Sequence, residues 1–284
     1  MKYLRTISML LLLLPLHAMA QFAWYGENGK AKVNTGLGNG TNADGVWFAY
    51  TDQNDDGASV INFSYPYSGD KLPDDAHVKR YKGIKGQAVL DVGNARYRTM
   101  GYAGFGFPIV GLNTDPNLYE QYEAGNATKW KGLAIGYSSD IALVVQLSLS
   151  DQKNHDIGYG YPEYTLPSTN NKESFVRISW DEFLQPEWAA NYYDKISGPE
   201  AAKELVVVKF YMMDENDTYN FKITKIGSYN MQETPGVSTG IEEGQRDPVK
   251  GQKDEWYTID GRKLSGNPNA KGVYIVNGYK MVVK

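Results

Sequence analysis

No cysteine occurs among the 284 residues, which excludes disulfides, thiol nucleophiles and thiolate metal sites. Histidine is nearly as scarce, with three copies and no pair at metal-ligand spacing. Neither a Gly-x-Ser-x-Gly elbow nor a phosphate-binding glycine loop is present. Long hydrophobic runs are missing as well. The one apolar stretch, residues 7–16, is too short to cross a bilayer. Lys2 and Arg5 precede it, and "HAMA" follows, with Ala18 and Ala20 at the spacing signal peptidase reads. Residues 1–20 therefore read as a signal peptide, and the absence of cysteine at the cleavage site excludes a lipid anchor there. A basic excess is also lacking. Beyond residue 20 the chain has 27 basic and 33 acidic residues, which is no footprint for nucleic acid.

What is present is strand pattern. "IALVVQLSLS" (141–150) alternates, with Ile141, Leu143, Val145, Leu147 and Leu149 on a core face and Gln146 on the accessible one. Runs at 46–52, 58–65, 102–110, 131–138, 175–180, 204–213 and 218–226 also read as strands, separated by Gly, Pro, Asn and Asp clusters. Residues 181–193 offer a short helix or turn that Pro186 limits. Many short strands with turn signals predict an all-β fold, a jelly-roll β-sandwich of antiparallel strands over residues 21–231. Residues 232–254 are rich in Gly, Pro and charge and read as a linker. The tail, 255–284, carries "DG" and "NG" between strand-forming runs and reads as a small C-terminal β-hairpin segment.

Aromatic residues concentrate the functional signal. The chain holds 22 tyrosines and six tryptophans. Flat rings stack on the C–H faces of sugars, and polar side chains take the hydroxyls. "DQKNHDIGYGYPEY" (151–164) supplies both, directly after the alternating strand, with Asp151, His155, Tyr159, Tyr161 and Tyr164. In "YAGFGFPIV" (102–110), Tyr102, Gly104, Gly106 and Pro108 share a face. That face is open to two readings, a bare floor for a flat ligand or close packing of another element over the glycines. The alternation does not decide the face of Tyr50. His77, in "DDAHVKRYKG", reads as a surface residue of a charged loop. "DQNDDG" (52–57) lacks the distal Glu of a calcium loop and reads as a solvated hairpin tip.

Several segments carry a resemblance. "GVWFAYTDQNDDGAS", "GYAGFGFPI", "ATKWKGLAIGYSSDIALVVQLSLSD", "FVRISWDEFLQPEWA" and "VVVKFYMMDENDTYNFKITKIGSY" resemble, in that order, the strands of carbohydrate-binding module family 11 and related galactose-binding-like jelly rolls. The resemblance implies a concave, aromatic-rimmed groove that binds β-glucan or a related plant polysaccharide without cleaving it. It implies carbohydrate contacts from Tyr102, Gln146, Asp151, His155, Tyr159 and Tyr161, with Tyr164 a further position. The sequence departs from the family at the last strand. Thr224 and Lys225 stand where acids would help hold a structural calcium, so no cofactor is expected. "WYTIDGRKL…KGVYIVNGYKMVVK" resembles the C-terminal sorting segment of type IX secretion cargo. That implies passage through the periplasm to the medium or the outer cell surface, with the secretion machinery as a partner.

The expected protein is thus a secreted or surface-held monomer that binds a polysaccharide or oligosaccharide. Two other readings stay open. One is a polysaccharide-cleaving enzyme on a jelly roll, for which Asp151, Asp156 and Glu163 are the available acids. The other is a surface adhesin whose groove binds protein.

Overall fold

The computed structural model describes residues 22–63, 71–115 and 121–234, and near the C-terminus 256–258, 262–264, 266, 268, 272–276 and 279–283. The expected signal peptide, nearly all of the expected linker and both dipeptide turns of the tail lie outside the described residues. The chain divides into two compact units, one ending at Glu233 and one beginning at Thr234.

Among the described residues the first unit has eleven strands: β1 (Ala23–Tyr25), β2 (Phe48–Thr51), β3 (Val60–Phe63), β4 (Ile84–Leu90), β5 (Gly101–Pro108), β6 (Gly132–Ser139), β7 (Leu143–Ser148), β8 (Glu163–Leu166), β9 (Ser174–Ser179), β10 (Val207–Asp214) and β11 (Asp217–Ser228). One sheet runs β3-β4-β11-β6-β9, with β1 paired to β11 beyond the end of β4. The other runs β2-β5-β10-β7-β8. All pairings are antiparallel, and consecutive strands mostly change sheet, so the fold is a jelly-roll β-sandwich. The second unit contains a three-stranded antiparallel sheet of β12 (Trp256–Thr258), β13 (Gly272–Val276) and β14 (Tyr279–Val283).

The sandwich closes over an aromatic core. Phe105 of β5 stacks on Phe210 of its own sheet, with ring centroids 5.1 Å apart, and on Phe221 of the opposite sheet, at 4.5 Å. Trp47 is 1% exposed, lies 5.0 Å from Phe107, and donates from Nε1 to the Ala31 carbonyl at 2.8 Å. Each such ring contributes several kcal/mol through burial alone, roughly 3–5 kcal/mol on truncation.

Two expectations are corrected here. His77 is buried in the helix α1 (Asp75–Tyr81). Asp74 caps that helix by accepting from the His77 backbone N–H at 2.9 Å, and the His77 ring accepts from the Lys85 N–H at 3.1 Å. The charged segment hid a helix because its signal is the cap and not an apolar stripe. Asp52, expected at a solvated tip, is completely buried. Its carboxylate accepts from the Ser59 N–H (2.9 Å), Ser59 Oγ (3.0 Å) and the Tyr102 N–H (3.0 Å), and Arg98 Nη1 stands 3.4 Å away. It ties the turn after β2 to the start of β5.

Removing that carboxylate takes the acceptor from the Ser59 and Tyr102 N–H groups and the anion from Arg98, whose Nη2 keeps only the Asp55 carbonyl. Asp52→Ala should therefore lower unfolding free energy by about 3 kcal/mol in urea titrations. Asp56→Asn, at the exposed left-handed tip (φ 59), should stay within about 0.5 kcal/mol of wild type. Equal stability of the two variants would show that Asp52 pins nothing.

Candidate functional site

Strand alternation builds the site. In β5, Ala103, Phe105 and Phe107 turn into the core, so Tyr102, Gly104 and Gly106 turn outward. In β10, Val208, Phe210 and Met212 point in, and Lys209, Tyr211 and Met213 point out. The register then aligns outward residues in rows across the five-stranded sheet. One row is Phe48, Gly106, Lys209, Gln146 and Glu163; the next is Tyr50, Gly104, Tyr211, Val144 and Thr165; Tyr102 and Met213 start a third.

The glycine floor of β5 is not bare. A Cβ on Gly104 would meet the Tyr50 ring at 2.2 Å, so the hydroxyl end of that ring packs directly over the strand backbone. Close packing over the glycine, one of the two readings left open, is what occurs at this position. Tyr50 becomes part of the surface itself. Its hydroxyl is buried and has no hydrogen-bond partner among the described residues. Beside it the Lys209 ammonium is 5.6 Å from the Tyr50 ring centroid and 4.6 Å from that of Tyr161, and it donates to Tyr161 Oη at 3.3 Å. Along the row, Gln146 Nε2 donates to Glu163 Oε2 at 2.9 Å. At the far side the Tyr102 and Tyr211 rings lie 5.6 Å apart, Arg98 covers Tyr102 at 4.8 Å, and Tyr102 Oη donates to the Asp55 carboxylate.

Partial burial controls the electrostatics of this face. It pushes the Lys209 ammonium down to about 8, against the opposing pull of Asp151. Burial also pushes Tyr161 and Tyr211 up to about 12, and Tyr50 well above the usual phenol value. Burial raises Tyr102 too, with the Asp55 hydrogen bond acting in the same direction. Glu163 is raised by burial, while its bond from Gln146 works the other way.

Of the seven residues expected from sequence, three stand on this face: Tyr102, Gln146 and Tyr161. Asp151 opens a short helix, α2 (Asp151–Asp156), at the rim, and its charge reaches both Lys209 and Tyr161. The segment expected to be a rim loop is therefore a helix, a turn and then β8. His155 and Tyr159 line a cleft of about 390 Å³ with Asp156, Gly158, Tyr193 and Asp194. Tyr159 is 59% exposed and holds a left-handed backbone (φ 59). Tyr164 does not join them. It lies opposite the core residue Val145, packs on the core and meets Phe183 at 6.3 Å, because alternation in β8 sends Glu163 and Tyr164 to opposite sides. Sequence reasoning missed Lys209 and Tyr211, although a lysine within the apolar run 204–213 was a usable signal.

Gly104→Ala should displace the Tyr50 ring, since the added methyl has no room beneath it. The expected outcome is a loss of about 1–3 kcal/mol in stability and altered near-ultraviolet circular dichroism of the tyrosines. An unchanged spectrum and melt would mean that Tyr50 does not rest on the strand.

No protein-family model matches the chain, and no curated protein matches it. Among solved structures it is similar to the family 11 carbohydrate-binding module of the cellulosomal cellulase Lic26A-Cel5E of Clostridium thermocellum, with 11% identity over 66% of this chain and 89% of that one and a TM-score of 0.34. A family 11 module from the same organism, in complex with a β-1,3-1,4-mixed-linked tetrasaccharide, gives 12% identity, coverage of 66% and 90%, and a TM-score of 0.31. The solution structure of CtCBM11 gives 12% identity, the same coverage and a TM-score of 0.33. Similarity at this level carries no residue-by-residue correspondence.

Proposed function

We propose that the protein is an exported, non-catalytic carbohydrate-binding protein. Its ligand is a β-glucan or a related plant polysaccharide, held on the outward face of the five-stranded sheet. The observation that supports this most is the gathering of Tyr50, Tyr102, Tyr161 and Tyr211 on one face, interleaved with Lys209, Gln146 and Glu163. Rings in that setting offer C–H stacking surfaces, and the polar groups between them fit the hydroxyls around each sugar ring. Binding is favoured over hydrolysis because the sequence carries no recognisable catalytic motif.

A stacked ring contributes on the order of 1 kcal/mol to binding, so Tyr211→Ala should weaken mixed-linkage β-glucan binding roughly fivefold to tenfold in calorimetric titrations. Tyr159→Ala should weaken it less and leave the melt unchanged, because that ring is solvent-facing. Tyr161 packs partly on the core, so its truncation should lower both affinity and melting temperature. Tyr164→Ala should cost stability alone. Unaltered glucan affinity in Tyr211→Ala, or weakened affinity in folded Tyr164→Ala, would move the site off this face.

Export is part of the same proposal. Residues 1–20 act as the signal peptide and residues 255–284 as the sorting segment read by a type IX secretion system, with 232–254 linking it to the binding domain. The sequence motifs of the tail support this, and its strands β12, β13 and β14 pair among themselves. Deleting 256–284 should leave the protein in the periplasm of its host, checked by fractionation. Undiminished appearance in the medium or on the cell surface would sink that assignment.

A further inference from the structure

Lys209 differs from the other deeply placed lysine of the sandwich. Lys225 is paired by the fold itself, its ammonium donating to Glu173 at 3.0 Å. Around Lys209 Nζ, no carboxylate among the described residues comes within ion-pair distance. Its neighbours are the Tyr50 and Tyr161 rings and the Tyr161 hydroxyl. Removing an ammonium from water without a counter-ion is costly, and rings and one hydroxyl recover only part of that cost. A cation short of an anionic partner among the described residues thus sits between the rings of an aromatic face.

We infer that Lys209, set between the Tyr50 and Tyr161 rings, forms a subsite for the carboxylate of a uronic acid residue, so that the ligand is an acidic or acid-substituted polysaccharide. This rests on the carbohydrate-binding reading above and specifies its ligand. The carboxylate pairs with the ammonium, while the sugar ring lies against the tyrosines. The groups that face Lys209 are Tyr50 from β2, Asp151 from α2, Tyr161 and Glu163 from β8 and the residues before it, and Tyr211 from β10. The tyrosines stay neutral well into the alkaline range. Lys209 loses its proton near pH 8, so it is the group that switches between neutral and moderately alkaline conditions. The sign follows directly: the ammonium is present below that point, and attraction for a carboxylate fades as pH rises through it.

The test uses the full chain and a matched pair of probes, a cello-oligosaccharide and the same oligosaccharide oxidised at C6 to its uronate form. Calorimetric titration at about pH 6.5 should show roughly tenfold tighter binding of the uronate, the gain expected of one charge-assisted contact. At about pH 9.5 that advantage should disappear in the wild-type protein, an arm that needs no variant. Lys209→Met should abolish it at both pH values, and a cooperative thermal melt, together with binding of both probes at equal affinity, reports that the variant is folded. Equal affinity for the two probes, or an advantage that survives Lys209→Met or high pH, overturns the inference and leaves carbohydrate binding standing. Binding of neither probe overturns both.

Discussion

Phe105 is the contact on which both sides of the five-stranded sheet depend. Its ring lies between Phe210 beside it and Phe221 across the sandwich, so it ties the two sheets together. A strand that commits every second residue to such a core has no choice about the remainder. Tyr102, Gly104 and Gly106 must face outward because Ala103, Phe105 and Phe107 face in. A slip of one residue in β5 would expose three apolar side chains and bury a tyrosine hydroxyl, at a cost far above the few kcal/mol that separate folded from unfolded states. The position of the outward tyrosines is therefore inherited from the core.

That inheritance also explains why the face is aromatic and not flat backbone. Gly104 opposes Tyr50 on β2 and Tyr211 on β10. With no Cβ on Gly104, the Tyr50 ring packs directly onto the strand. A larger residue at 104 would lift it. Lys209, one row along, is brought against the Tyr50 and Tyr161 rings by the same register. Glycine here sets the depth at which the rings sit.

Sequence alone made the architecture legible where alternation is long. The runs 141–150 and 102–110 have a single register that buries all their large apolar residues, so both the sandwich and the outward placement of Gln146 and Tyr102 followed. Legibility failed where the period is short or absent. β2 covers four residues, too few to assign Tyr50 to a face, and its true neighbour Gly104 is some fifty positions away in the chain. β8 is also four residues long, which is why Tyr164 was grouped with ligand contacts when it packs on the core. The helix α1 is written in a cap, and the burial of Asp52 in donors from Ser59 and Tyr102. Such long-range partners have no local signature.

Two local costs lie beside Tyr161. Lys209 keeps a partly buried charge without a carboxylate, and Tyr159 holds an exposed ring on a left-handed backbone that disfavours side chains. Neither feature is required by the core. A methionine at 209 would fill the same place without a charge to desolvate, and a glycine at 159 would relieve the backbone. Both departures border Tyr161, whose hydroxyl meets the ammonium of one and feels the ring of the other. Local rules are broken where binding and stability ask for different residues. Here the two exceptions share a neighbour, and that neighbour is a tyrosine on the outward face.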